Sequence, residues 1–236
     1  MSFKHKLVTT LIRRFPLLYR KYSRSYAQYG EDVLLKPYYD HNPNYKGFFV
    51  DVGAHHPIRF SNTYLFYKRG WRGINIEPTP GSKRTFDLLR SRDINLNIGI
   101  STEAGTFDFY AFDDPALNGF SKELSLQRAA DTATPYAILN THKIVTQPLR
   151  DVLTEHLPPG QTIDLLTIDV EGGDLDVLKS NDWNRFRPQF IMVEDDAFSI
   201  ERPTQSDVYT YLTSLGYRMV GKTLKTLLFT SDDANV

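Results

Sequence analysis

Apolar residues in this chain come in short runs divided by stretches of helical spacing, and that alternation predicts most of its elements. Gly47 to Val52 has the length and composition of a strand buried on both faces. A helical stretch over Asn62 to Lys68 follows, then a second strand, Gly73 to Glu77, closed by the breakers Pro78, Pro80 and Gly81. Ser82 to Arg90 reads as a helix, Ile94 to Ile100 as a third strand, and Gly105 to Phe112 alternates with the period of a hairpin strand. From Asp113 to Tyr136 the periodicity disappears into Ala, Ser, Thr and Asp, the composition of a lid or substrate loop. Order returns with Lys143 to Gln147, a helix over Arg150 to His156, and a fourth strand, Ile163 to Asp169, behind the turn Pro158-Pro159-Gly160. Asp174 is placed to cap a helix carrying Leu175, Leu178 and Trp183, and Phe190 to Glu194 is a fifth strand. A helix over Gln205 to Leu215 and two strands, Tyr217 to Val220 and Thr226 to Thr230, end the chain as an antiparallel edge hairpin.

Strands alternating with helices predict an α/β fold, one sheet covered by helices. The 236 residues, 41% of them apolar, suffice for one core. We expect a single domain over residues 28–236, with a lid-like insertion near 113–142, preceded by a basic arm over 1–27.

Charge changes the picture at the N-terminus. Lys4, Lys6, Arg13, Arg14, Arg20, Lys21 and Arg24 all precede the first acid, Glu31, which leaves 21 cations against 28 acids in the rest, a net of minus seven. So acidic a body is a poor nucleic-acid binder, and no nucleic-acid partner is expected. The arm mixes its cations with Leu7, Val8, Leu11, Ile12, Phe15, Leu17 and Leu18. Residues 1–24 therefore suit either peripheral contact with an anionic membrane or an ordinary helix packed on the domain, interrupted by Pro16. No run approaches the roughly 18 apolar residues of a membrane span, and no short apolar segment precedes a small-residue cleavage site. Cysteine is absent, which agrees with a reducing compartment. The expected location is the cytoplasm, if the arm acts then at the inner face of the membrane.

The candidate chemistry gathers where the strands end. An open α/β sheet binds its ligand beyond the carboxyl ends of its strands. Those ends deliver Asp51, Gly53, His55 and His56, then Glu77, then Asp169 and Glu171, then Glu194, Asp195 and Asp196. Gly53 permits a turn against which a ligand can lie on bare backbone. Glu77 is placed to accept hydrogen bonds from two ribose hydroxyls. Gly53-Ala-His-His-Pro57 lacks the further glycines that let a helix approach a pyrophosphate, which favours a nucleoside cofactor without phosphate.

Six segments, Gln28-Tyr-Gly-Glu-Asp32, Phe49-Val-Asp-Val-Gly-Ala-His-His56, Ser61-Asn-Thr63, Gly70-Trp-Arg-Gly73, Ile76-Glu-Pro78 and Ile168-Asp-Val-Glu-Gly172, resemble in order and spacing those of FkbM-type methyltransferases. The resemblance spans about Gln28 to Glu194. It implies a Rossmann-like seven-strand methyltransferase sheet, mostly parallel, and S-adenosylmethionine as cofactor. It places the cofactor's amino acid end near Asp51, Gly53 and Asp169, its ribose on Glu77 and its adenine near Pro78 and Ile98, with Gln28 and Asn62 closing the pocket. His55 lies in the same turn and is counted with the cofactor residues.

Methyl transfer to a hydroxyl needs a base or a cation that lowers the oxygen's pKa. His55 and His56 follow the cofactor turn and titrate near neutrality, and His56 is the favoured base, with Asp169 and Glu171 as acidic alternatives. Asp169, Glu194 and Asp195 also resemble the carboxylate set of cation-dependent O-methyltransferases, hard oxygen ligands suited to Mg2+. A rim of Asp113, Asp114, Glu171, Asp174, Glu194, Asp195 and Asp196 with Tyr110 and Phe112 suits a polyhydroxylated acceptor. The expectation is an O-methyltransferase acting on a sugar or glycan hydroxyl, or on a natural product. Two rivals stand beside it: a metal-dependent glycosyltransferase using acid pairs such as Asp113-Asp114 and Asp174-Leu-Asp176, and a binding module that keeps the fold without the chemistry.

Overall fold

The computed structural model describes residues 24–133 and 136–231. The basic arm lies outside the described residues except at its end, where exposed Arg24 sits over the Tyr26 ring. No described helix is long and apolar enough to cross a membrane.

Two short helices, α1 (Glu31–Leu35) and α2 (Pro37–Asp40), lead into β1 (Phe48–Val52). Then come α3 (Tyr64–Lys68), β2 (Arg72–Ile76), α4 (Ser82–Leu89), β3 (Ile94–Leu96) and β4 (Gly99–Ile100). The middle of the chain holds β5 (Gly105–Phe112), α5 (Lys122–Ala130), β6 (Ile138–Gln147) and α6 (Leu149–His156). The last part is β7 (Leu165–Ile168), α7 (Asp174–Lys179), β8 (Phe190–Glu194), α8 (Asp207–Ser214), β9 (Tyr217–Lys222) and β10 (Thr226–Ser231).

Seven strands form the main sheet in the order β3-β2-β1-β7-β8-β10-β9. The first five are parallel, while β10 runs antiparallel to β8 and β9 antiparallel to β10. This is the mixed seven-strand sheet with an antiparallel C-terminal hairpin that the sequence predicts. The last strand lies inside the sheet, because every residue of β10 is buried, and β9 takes the edge.

Alternate side chains of each strand go to opposite faces. Val50, Val52, Ile74, Ile76, Leu166, Ile168, Ile191 and Val193 pack with α6, α7 and α8 through Leu149, Val152, Leu178 and Leu212. Their neighbours Phe49, Leu165, Phe190 and Met192 pack on the other face with Leu35, Tyr39, Phe66 and Trp71 from α1 to α3 and the turn after them. Both faces are therefore dry, which is why the strands read as continuous apolar runs.

Three stretches differ from the sequence reading. Residues 94–100 are two strands in two sheets. The chain leaves the main sheet at Asn97, whose amide donates to the carbonyls of Glu77 (2.6 Å) and Thr79 (2.9 Å), and then joins a second sheet of order β4-β6-β5. The stretch without periodicity holds α5, capped by Ser121 Oγ accepting from Leu124 N–H at 3.2 Å. Most of its side chains face solvent, so its sequence lacks the apolar repeat that would mark a helix. β6 also starts at Ile138, ahead of Lys143, because most of its length pairs only with β5 and buries little.

Candidate active site

The strand order reverses between β1 and β7, and the carboxyl ends of these strands open into a cavity of about 580 Å3. Gln28, Asp51, Gly53, His55, Asn62, Glu77, Pro78 and Ile98, the eight residues assigned to the cofactor, all line it, together with Asp169, Glu171 and Glu194.

Gly53 is where the two strand ends meet. Its φ is +81°, and a Cβ built there would fall 2.7 Å from the carbonyl carbon of Asp169 and closer still to its oxygen. Only glycine allows both the left-handed turn and this approach. The turn is pinned by Gly53 and Ala54 N–H groups donating to Ile76 O at 3.0 and 3.1 Å, and it continues through left-handed His55 (φ 50°) and Phe60 (φ 55°). Non-glycine residues in that region store roughly 1–3 kcal/mol each, a cost that clusters at functional sites.

Glu77 is only 6% exposed and directly follows β2 beneath this turn. Its two oxygens accept from His55 N–H (2.7 Å) and Thr79 N–H (2.8 Å), so the carboxylate orients the loop and keeps its remaining lone pairs for the cavity. Burial pushes its pKa up, against the hydrogen bonds from Thr79 and His55. Asp51 is 5% exposed and accepts from Thr63 Oγ at 2.7 Å. Burial raises its pKa to about 6, while the Thr63 hydrogen bond and the charge of Arg90 hold it down. Asn62 donates to Thr167 Oγ at 3.0 Å, which ties the segment before α3 to β7.

The two histidines divide. His55 lines the cavity, its Nε2 buried with no hydrogen-bond partner, and burial, with Arg59 and His56 beside it, lowers its pKa. His56 lies outside the cavity wall and is not placed as the base. Its Nδ1 accepts from Ile58 N–H (3.1 Å) and Arg59 N–H (2.9 Å), and burial with the Arg59 charge lowers its pKa, both of which favour the neutral ring. With Nδ1 committed as acceptor and Nε2 carrying the proton, neither nitrogen is free to take another.

The acids after β7 and β8 do converge. Asp169, Glu171 and Glu194 each bring an oxygen within 4.8 Å of the others. Burial pushes the Asp169 carboxyl well up, and the charges of Glu194, Glu171 and Asp174 push it further. Glu171, in left-handed backbone (φ 57°), is raised by burial and Glu194 and lowered by its ion pair with Arg128. Asp195 does not join them. Its carboxylate accepts from Ala197 N–H (3.0 Å) and from Ser206 Oγ (2.5 Å), the residue that caps α8, which turns it away from the cavity.

The donor set does not fit a resident Mg2+. Arg128 already occupies Glu171, and Lys225 holds Glu194 at 3.0 Å and Asp196 at 3.1 Å, so two of the three carboxylates spend their charge on side-chain cations. Of the four acids named for the glycosyltransferase rival, Asp176 lines the cavity and the other three bond backbone N–H groups. Asp113 accepts from Asp114 N–H and Ala137 N–H, Asp114 from Ala116 N–H, and Asp174 from Val170 N–H and Gly172 N–H.

Sequence reasoning missed Arg128, Asn118, Phe120 and Lys225. The first three belong to the stretch without periodicity, which folds over the cavity mouth: Arg128 reaches Leu117 O and Glu171, and Asn118 accepts from Phe112 N–H. Lys225 sits in the β9–β10 turn, brought beside Glu194 by the register that pairs it with Thr226. Charge near the hairpin was the available signal, but the partner depends on register.

The sequence model of the family described as Methyltransferase FkbM domain matches residues 51–219. Among solved structures, the chain is similar to the methyltransferase FkbM of Methylobacillus flagellatus KT, with 15% identity and a TM-score of 0.47. The alignment covers 95% of this chain and 60% of that one, so the chain spans less than two thirds of its neighbour's length. No curated protein matches.

Proposed function

The chain belongs to the FkbM methyltransferase domain family, and from that premise we propose that it is an S-adenosylmethionine-dependent O-methyltransferase whose acceptor is a sugar or glycan hydroxyl. The observation that carries the cofactor is the single cavity shared by Gly53, Glu77, Asp51 and Asp169. Gly53 gives bare backbone, Glu77 keeps lone pairs for a ribose, and Pro78 and Ile98 offer apolar walls for an adenine. Buried acids crowded at this end of the cavity repel one another's charge, which favours a ligand that brings positive charge, as a sulfonium and an ammonium do.

The cofactor supplies an electrophilic methyl; the chain's part is to hold the acceptor in line and take its proton. With His56 committed to its loop, the proton goes to the acids. Asp169 is the base this reading favours, because burial and Glu194 raise its proton affinity above that of an ordinary carboxylate. Glu171, fixed by Arg128, orients the hydroxyl. Tyr110, Asn118, Lys122, Asp176 and Lys225 alternate with Phe60 and Phe120 around the rest of the cavity, and such a mixture of donors, acceptors and rings suits a polyhydroxylated acceptor.

The test is incubation with methyl-labelled S-adenosylmethionine and a panel of saccharides, glycans and polyhydroxylated natural products, with EDTA present throughout. Label on a saccharide, and loss of S-adenosylhomocysteine affinity in Asp51→Ala, is the expected result. Full affinity in Asp51→Ala overturns the cofactor assignment, and label only on natural products overturns the acceptor.

A further inference from the structure

Arg90 follows α4 and is 0% exposed, yet it takes no part in the cavity wall. Its Nε donates to Asp93 (2.8 Å), one terminal nitrogen to Pro57 O (3.1 Å), and the other to Thr63 Oγ (3.1 Å). The guanidinium also lies over the rings of Tyr67 (4.6 Å) and Phe49 (5.1 Å). Burying such a charge is costly, and a buried ion pair is weak evidence for a purely stabilising role, since well-packed apolar residues often serve as well. The bonds it makes point to another use. Pro57 belongs to the strained turn after β1, and Thr63 Oγ, while accepting from Arg90, donates to Asp51 at 2.7 Å.

We propose that Arg90 is a positioning residue for cofactor binding, acting through the Thr63 hydroxyl to hold Asp51 ionised and through the Pro57 carbonyl to hold the turn that carries Gly53 and His55. This rests on the cofactor reading above. The relay has a direction: Arg90 is a permanent donor, so Thr63 Oγ must spend its own proton on Asp51, and a hydroxyl so oriented favours the carboxylate over the carboxylic acid. The groups facing Asp51 are Arg90 and Thr63, which stabilise its charge, and Asp93 and Glu77, which oppose it. Asp93 is itself bound by Arg90, Asn75 Nδ2 (3.1 Å) and Gly73 N–H (3.1 Å), so Arg90 also screens the acid that would push Asp51 toward neutrality.

The consequence is binding linked to a proton. With Asp51 near 6, affinity for a ligand carrying an ammonium is full above that pH and falls as pH drops through it. Weakening the relay moves that fall to higher pH.

Thr63→Val is the informative variant. It keeps the shape of the side chain, and α3 loses no cap, because Ser61 Oγ, not Thr63, accepts from Tyr64 N–H. S-adenosylhomocysteine binding is measured by calorimetry from pH 5.5 to 8.0 on parent and variant, with thermal melting to verify the fold. The expected result is near-equal affinity at pH 8.0 and about threefold weaker binding by the variant at pH 6.5, from a rise of about one unit at Asp51. Arg90→Lys, which keeps the charge but not the planar fork, is expected to shift the profile in the same direction. Thr63 is not among the groups that shift Glu77, His55 or Asp169, so a separation of the two curves originates at Asp51. Superimposable profiles for parent and Thr63→Val overturn the relay while leaving the cofactor reading intact. A parent that binds no S-adenosylhomocysteine at any pH overturns that reading and the relay with it.

Discussion

Gly53→Ala tests whether the close approach of the β1 and β7 ends builds the site. Two costs add there. An alanine in left-handed backbone loses roughly 1–2 kcal/mol. Its Cβ would also lie 2.7 Å from the Asp169 carbonyl carbon and nearer to the oxygen, so one loop must move, at a cost of about 1–3 kcal/mol by comparison with overpacked cores. A total near 3–4 kcal/mol corresponds to a fall in Tm of about 10 °C for a domain of this size. Gly81→Ala is the control, since Gly81 has nearly the same φ (+85°) but nothing within 4 Å of its Cβ position, which leaves only the backbone cost and a fall of about 4 °C. Melting is followed by circular dichroism and S-adenosylhomocysteine binding by calorimetry. Gly53→Ala should also lose about tenfold or more in affinity, because moving either loop separates Asp51 from Asp169. Equal melting losses in the two variants, or unimpaired binding by Gly53→Ala, would refute the reasoning.

Two further outcomes follow from the site. His56→Ala removes the acceptor for Ile58 and Arg59 N–H groups and should cost about 1–2 kcal/mol of stability, while the pH profile of kcat stays as in the parent; a flattened profile would return the base role to His56. Asp174, raised to about 7 chiefly by burial and next by Glu194, takes up its proton at higher pH in the folded state than its ordinary 3.8, so its contribution is complete below about 4 and is lost as pH rises through about 7. Asp169 and Glu171 shift in the same direction, so Tm should fall between pH 5 and pH 8, and Asp174→Asn should show the shallower slope; an equal or steeper slope would contradict the assignment.

While the resemblance of its motifs to FkbM-type methyltransferases implied the seven-strand sheet and several of the eight residues that line one cavity, the chain by itself determined the order of strands and helices and the glycine and acids at the strand ends. These were legible because burial on two faces forces continuous apolar runs, and because a sheet of this kind collects its ligand at strand ends, which local sequence marks with Gly53, Glu77 and Asp169. Tertiary structure alone decided the fate of the charged side chains. His55 and His56 are adjacent and chemically alike, yet one faces the cavity and the other bonds two backbone N–H groups, a division set by the backbone angles of the turn. Asp195 and Glu194 are neighbours on the chain, but strand alternation sends one to the Ser206 hydroxyl that caps α8 and leaves the other with Lys225. Arg128, Lys225 and Arg90 find Glu171, Glu194 and the Thr63–Asp51 pair across long stretches of chain, and no local pattern encodes a partner that only packing and register bring within reach.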